Sequence, residues 1–206
     1  MTPVETRQSA TVERTVMLTD AVVAIAMTLL VLPLVESVPE VDLDDVPAFV
    51  GEHRSLFISF VVSFLVILLF WAAHQRVFRV VGEMTPGLKW LNAAWLLIVA
   101  FLPFPTALIG REPTTSTTPV YIGTVFALAL ASTAMTYLVY RAADAGPDRE
   151  YLRRRVLVAA VAALVLLGCT VVAMASPDIA LFALIGIAAV RFAGDRWSER
   201  VPGRST

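Results

Sequence analysis

The stretch Arg14-Thr-Val-Met-Leu-Thr-Asp-Ala-Val-Val-Ala-Ile-Ala-Met-Thr-Leu-Leu-Val-Leu-Pro33 begins with a base, sets a hydroxyl and an acid side by side at Thr19 and Asp20, and then runs apolar to Pro33 with only Thr28 intervening. About 20 apolar residues in helical form cross the hydrocarbon of a bilayer, so Ala21–Val35 becomes a full span once Val16–Asp20 is included. An acid at the edge of such a span is costly unless it has a partner or sits in a wet cavity. Arg14 cannot be that partner within one helix, because six residues turn the chain through about 240°. Partners for Asp20 must therefore come from other spans.

Outward from this segment the chain repeats the same character. Its hydrophobic share is 58% and its mean hydropathy +0.77, beyond what a soluble domain needs. Ser55–Gln75, Trp90–Gly110, Pro113–Tyr140 and Val156–Pro177 contain no Asp, Glu, Lys or Arg. A sixth block, Ile179–Val190, is shorter and borrows its ends from Asp178 and Arg191–Gly194. Blocks this long and unbroken are helices rather than the alternating strands of a barrel. The expected fold is all-α, a single transmembrane domain over 1–206, with six spans at about 16–35, 55–78, 88–110, 118–140, 155–176 and 178–194. Met1–Thr15 is polar and lacks an apolar core, so it does not read as a secretory signal.

Charge divides sharply between alternate loops. On a six-span layout, 14 of the 16 basic residues fall on one side, in Met1–Thr15, Arg76–Lys89, Arg141–Arg155 and Arg191–Thr206. The other side keeps only Arg54 and Arg111 beside eight acids, most of them in Glu36–Arg54. Short basic loops stay in the cytoplasm, so both termini are expected there. We read the basic loops as topology determinants rather than nucleic-acid or lipid patches, and expect no nucleic-acid partner. The acidic loop reads as a solvated connector; near a pore mouth it would also concentrate cations. One Lys against 15 Arg, with much Ala and Val, points weakly to a GC-rich prokaryote and hence to a bacterial plasma membrane.

Enzyme chemistry has little to work with. The chain has two histidines, His53 and His74, and one cysteine, Cys169, which reads as a packing residue. No metal-ligand spacing, phosphate-binding glycine loop or nucleophile constellation is recognisable, and no cofactor is expected. The polar residues expected at one depth are Thr19 and Asp20, His74 and Arg76 at the end of the second span, and Asn92 at the start of the third. They suggest a polar network between helices, either fixing registry or handling ions and protons. Ile25, Leu29 and Leu32 stand at i, i+4 and i+7, an apolar stripe with Thr28 beside it. By periodicity alone such a stripe means packing or lipid contact. No Thr-Val-Gly-Tyr-Gly carbonyl filter occurs.

Arg14-x-x-x-Leu18-Thr19-Asp20, followed by Ala24-Ile25-Ala26-Met27-Thr28-Leu29-Leu30-Val31-Leu32, resembles the first helix of the transmembrane-protein-175 family, the lysosomal potassium channel and its bacterial relatives. That family's hallmark is Arg-x-x-x-Phe-Ser-Asp; here Leu18 and Thr19 replace the Phe and the Ser, keeping an apolar residue and a hydroxyl. The likeness extends to Trp71 and His74 and to Asn92 through Pro103-Phe104, roughly the first half of the chain. It implies a homotetramer in the lipid bilayer in which the first helix lines a central pore for permeant monovalent cations, above all K⁺. It further implies that Ile25, Leu29 and Leu32 form the constriction with Thr28 as a hydroxyl ring, and that Arg14, Asp20, His74 and Asn92 form a structural polar network, to which Thr19 belongs by position. Two other readings stay open: a proton-coupled secondary transporter using Asp20 and His74, and a non-conducting membrane scaffold.

Overall fold

Apolar blocks with no charge leave the backbone one economical option in lipid, to satisfy its own hydrogen bonds as helix. The computed structural model describes residues 3–38, 45–143 and 147–175, and among these every regular element is helical. In chain order they are α1 (Pro3–Leu29), α2 (Leu32–Glu36), α3 (Val46–Glu52), α4 (Arg54–Phe78), α5 (Pro86–Phe101), α6 (Pro103–Arg111), α7 (Thr117–Ala142) and α8 (Pro147–Ala173). Five segments are long and apolar enough to cross a membrane: Ala10–Glu36, Arg54–Phe78, Pro86–Arg111, Thr117–Ala142 and Asp148–Ala173. The sixth expected span, 178–194, lies outside the described residues.

Two of the expected single spans are broken helices, and prolines break them. Pro33 has no N–H to give and would crowd the carbonyl of Leu29, so α1 ends there. Val31 N–H then bonds to Thr28 O at 3.3 Å, and α2 starts with Pro33 in its first turn. Leu32, expected on one continuous stripe with Ile25 and Leu29, thus belongs to a separate short helix. Pro103 does the same to the third span. At that joint the Leu102 N–H reaches both Ile98 O and Val99 O, a local tightening. The helix of α1 also runs well before residue 16, through the polar residues from Pro3 onward.

α5 packs on α7 and α1, α4 on α6 and α1, and α8 lies along α7. The core is large and central: Trp95, Val99, Leu102, Tyr121, Ile122, Leu128 and Leu166 are wholly enclosed. Thr85 caps α5 by accepting the Leu88 N–H, and Asp45 caps α3 by accepting the Ala48 N–H. At the far end, α6 and α4 meet through small residues. A Cβ on Gly110 would fall 2.5 Å from Ser59 Oγ and 2.9 Å from a Leu56 methyl, with the Leu56 Cα only 3.4 Å away. The two closest atoms belong to the side chains of Ser59 and Leu56, both of which would have to shift to admit a methyl group. Gly110→Ala should destabilise the protein by about 1–3 kcal/mol in thermal unfolding. Gly168→Ala, with open space around it, should be neutral or slightly stabilising by helix propensity.

Candidate functional site

Thr19 and Asp20, adjacent on α1, reach different partners. The Asp20 carboxylate accepts from two residues of α4: Trp71 Nε1 at 2.8 Å and the Gln75 amide. Trp71 and Gln75 are four apart, one turn of α4, so they present their donors on one face. Thr19 is wholly buried, and its hydroxyl donates to Thr15 O at 2.9 Å. Its oxygen is then left to accept from Asn92 Nδ2 of α5 at 3.2 Å. That fixes the amide: Asn92 Oδ1 faces His74 Nε2 at 2.7 Å, so this nitrogen carries the proton and donates. His74 lies against Phe78, with ring centroids 4.1 Å apart, and 4.8 Å from Trp95. Its Nδ1 is buried with no partner among the described residues.

The structure therefore brings together four of the five residues expected in the network, Thr19, Asp20, His74 and Asn92, as two arms joining α1 to α4 and α5. Arg14 is not brought in. It is exposed, and among the described residues no hydrogen bond or ion pair engages it. Seven residues are close to two full turns, which aligns Arg14 with Ala21 and Leu18 with Ile25 rather than with Thr19. Sequence reasoning missed Gln75. The signal was present, a polar amide one turn after Trp71 in an otherwise apolar span.

Of the stripe residues, Ile25 and Leu29 occupy the opposite face of the same helix, and Leu32 follows at the start of α2. Ile25 is 60% exposed, Leu29 45% and Leu32 48%, whereas Val23, Ala26 and Leu30 are buried at 3% or less. Thr28 is exposed, and its hydroxyl donates back to Ile25 O at 2.8 Å, leaving its oxygen outward. The buried face of α1 meets α4, α5 and α6. Among the described residues the stripe is left about half exposed.

Two further polar features were not anticipated. Deep between α4, α6 and α7, Thr106 Oγ1 contacts Ser63 Oγ at 2.9 Å, and Ser63 lies 3.0 Å from the Tyr121 hydroxyl. Thr106 also bonds to Leu102 O at 2.8 Å, beside the Pro103 break. At the other end of the bundle from Asp20, a cavity of about 350 Å³ is lined by Glu36, Glu52, His53 and Arg111 among others. Glu36 and Arg111 approach to 3.7 Å across it, both well exposed. A pair that open to solvent adds little stability, but it requires the ends of α2 and α6 to share a side, as the charge pattern expects. Among the described residues no group of three or more His, Cys, Asp or Glu could hold a metal.

Residues 14–103 match the family profile of the endosomal/lysosomal potassium channel TMEM175. A protein of Chamaesiphon minutus named a potassium channel is 37% identical over 95 residues, 45% of this chain and 46% of that protein. One of Streptomyces collinus, also named a potassium channel, is 36% identical over 128 residues, 59% of this chain and 61% of its own length. The human endosomal/lysosomal proton channel TMEM175 is 31% identical over 104 residues, 49% of this chain and 20% of that protein. These matches span less than two thirds of each relative's length. In three dimensions, the crystal structure of a lysosomal potassium-selective channel TMEM175 homologue from Chamaesiphon minutus superposes with a TM-score of 0.73 at 22% identity, covering 92% of this chain and 98% of that one.

The polar arms generate a stability test. Asn92→Leu leaves the buried His74 Nε2–H without an acceptor and should cost about 1–3 kcal/mol in detergent unfolding. Adding His74→Phe removes the orphaned donor, so the double variant should be more stable than Asn92→Leu alone. A double variant that loses as much as the two singles combined would show that the His74–Asn92 contact carries nothing.

Proposed function

With residues 14–103 related to the TMEM175 family, we propose that the chain forms a potassium-permeable channel as a homotetramer, with α1 of each copy turned toward a shared axis. The observation that carries this reading is the division of α1 into two faces. One is locked to α4 and α5 by Asp20, Thr19 and buried apolar residues; the other leaves Ile25, Thr28 and Leu29 exposed among the described residues, with Leu32 exposed beyond them at the start of α2. Because the lock fixes rotation about the helix axis, the direction of the stripe is set before any second copy arrives.

Rings of isoleucine and leucine offer no oxygen ligands, so a cation passes them partly dehydrated or through a wetted gap. K⁺ sheds hydration water more cheaply than Na⁺, and a narrow apolar ring therefore favours K⁺ modestly without binding it, and closes by dewetting. The location that goes with the charge pattern is a plasma membrane with cytoplasmic termini.

Purified protein in liposomes should give K⁺ flux and unitary currents; no flux from folded protein would favour a scaffold instead. Ile25→Asn should shift the reversal potential under a K⁺/Na⁺ gradient, and an unchanged preference would remove Ile25 from the filter. One observation favours a proton-coupled transporter, the buried and unpartnered His74 Nδ1. That reading requires saturable flux driven by a pH gradient and abolished by His74→Phe, so K⁺ flux indifferent to the gradient would eliminate it.

A further inference from the structure

The end of the bundle that the charge pattern assigns to the cytoplasm carries two cations that conduction leaves unused. Arg141 closes α7, and Arg149 lies in the first turn of α8. The Arg141 guanidinium carbon sits 6.0 Å from the Tyr137 ring centroid, and that of Arg149 sits 5.2 Å from the Tyr140 centroid. The two tyrosine rings are 6.4 Å apart, so the four side chains make one cluster bridging the helices. Tyr137 is 46% exposed, and both arginines are exposed.

Neighbouring arginines are already engaged. Glu150 takes Arg153 at 3.6 Å and Arg154 at 3.1 Å, while the buried Arg155 donates to the Tyr151 hydroxyl at 3.0 Å. Among the described residues no carboxylate pairs with Arg141 or Arg149. A guanidinium held over a ring is oriented without using up its N–H donors, which stay available to an anion. Tyrosines at the end of a span belong at headgroup depth, where one end of the ring is apolar and the other wet. The anion abundant at that depth is a lipid phosphate, and arginines near an anionic leaflet are attracted to it.

We propose that Arg141, Arg149, Tyr137 and Tyr140 form a binding site for an anionic phospholipid of the cytoplasmic leaflet. The two guanidiniums grip the phosphate and the tyrosine rings hold them in place. The positive-inside pattern accounts for the presence of basic residues here; it does not account for two of them lying over tyrosine rings with no carboxylate partner among the described residues while Arg153, Arg154 and Arg155 are engaged.

The test uses the full chain in detergent, titrated with short-chain phosphatidylglycerol, phosphatidylcholine and inorganic phosphate in parallel. Phosphatidylglycerol should bind best, and Arg141→Gln with Arg149→Gln should weaken it roughly tenfold or more. Arg79→Gln, an exposed base on the same side but off the cluster, should leave binding unchanged. If the double glutamine variant misfolds, Arg141→Lys with Arg149→Lys keeps the charge and should bind between the two extremes. Equal phosphatidylglycerol affinity in either double variant overturns the site. Inorganic phosphate binding as tightly as the lipid assigns the cluster to a soluble anion and overturns the lipid proposal.

Discussion

Asp20 held by Trp71 and Gln75 is the constraint on which the rest of the arrangement depends. A helix that buries only small and β-branched residues such as Val23 and Ala26 could rotate among several packings at little cost, because lipid is as apolar as the neighbouring helix. A carboxylate at the edge of the hydrocarbon cannot, since leaving its donors means returning an ion to a low dielectric unpaired. Thr19 and Asn92 add a second point of attachment to a different helix. Two polar contacts, to α4 and α5, fix one rotation for α1, and that rotation turns Ile25 and Leu29 outward.

The prolines act on the same frame. Pro33 ends α1 at Leu29, directly after Thr28, so the outward face is followed by a break rather than continuing as one uniform helix. Pro103 breaks the third span at comparable cost, but there the loose end is tied: Thr106 bonds to Leu102 O and reaches Ser63 and, through it, Tyr121. With Gly110 leaving room for the Ser59 and Leu56 side chains of α4, the second break is internal scaffold. The two breaks look alike in sequence and differ in whether side-chain hydroxyls gather around them.

Much of this was legible in the sequence, and the reasons for the remainder are specific. The apolar blocks marked the helices, since uncharged runs of this length leave few alternatives. Asp20 announced that it needed partners on other helices, because the geometry of its own helix denied it one. Which partners it took was not legible: His74, Arg76 and Asn92 were the residues expected around it, whereas Trp71 entered only through the family resemblance and Gln75 is one amide at the foot of an apolar helix. The hydroxyl cluster of Ser63, Thr106 and Tyr121 was not legible at all. Single hydroxyls in membrane helices usually bond back to their own backbone, as Thr124 and Thr133 do here, so a Ser or Thr carries no address for a distant helix. Arg14 takes no partner among the described residues. It opens a motif whose later members are networked, yet Leu18 and Arg14 share a side with the stripe, and spacing along a motif says nothing of which side its first residue takes.

The same division of α1 explains why a conducting reading tolerates so polar a helix. An acid, a threonine and their amide and indole partners lie within two turns of the apolar stripe, and if they faced the axis an ion would meet carboxylate oxygen before hydrocarbon. A carboxylate on the axis would bind cations and favour charge over size, giving a site that retains ions instead of a barrier that sorts them by hydration. Trp71 and Gln75 hold Asp20 against α4, and Asn92 ties Thr19 to α5, so the strongest electrostatic features are spent on holding the helix in place. What remains for the open face is chemistry without ligands. On that reading the polar network contributes to selectivity by staying off the path, and the buried and exposed faces of one helix are two halves of a single device.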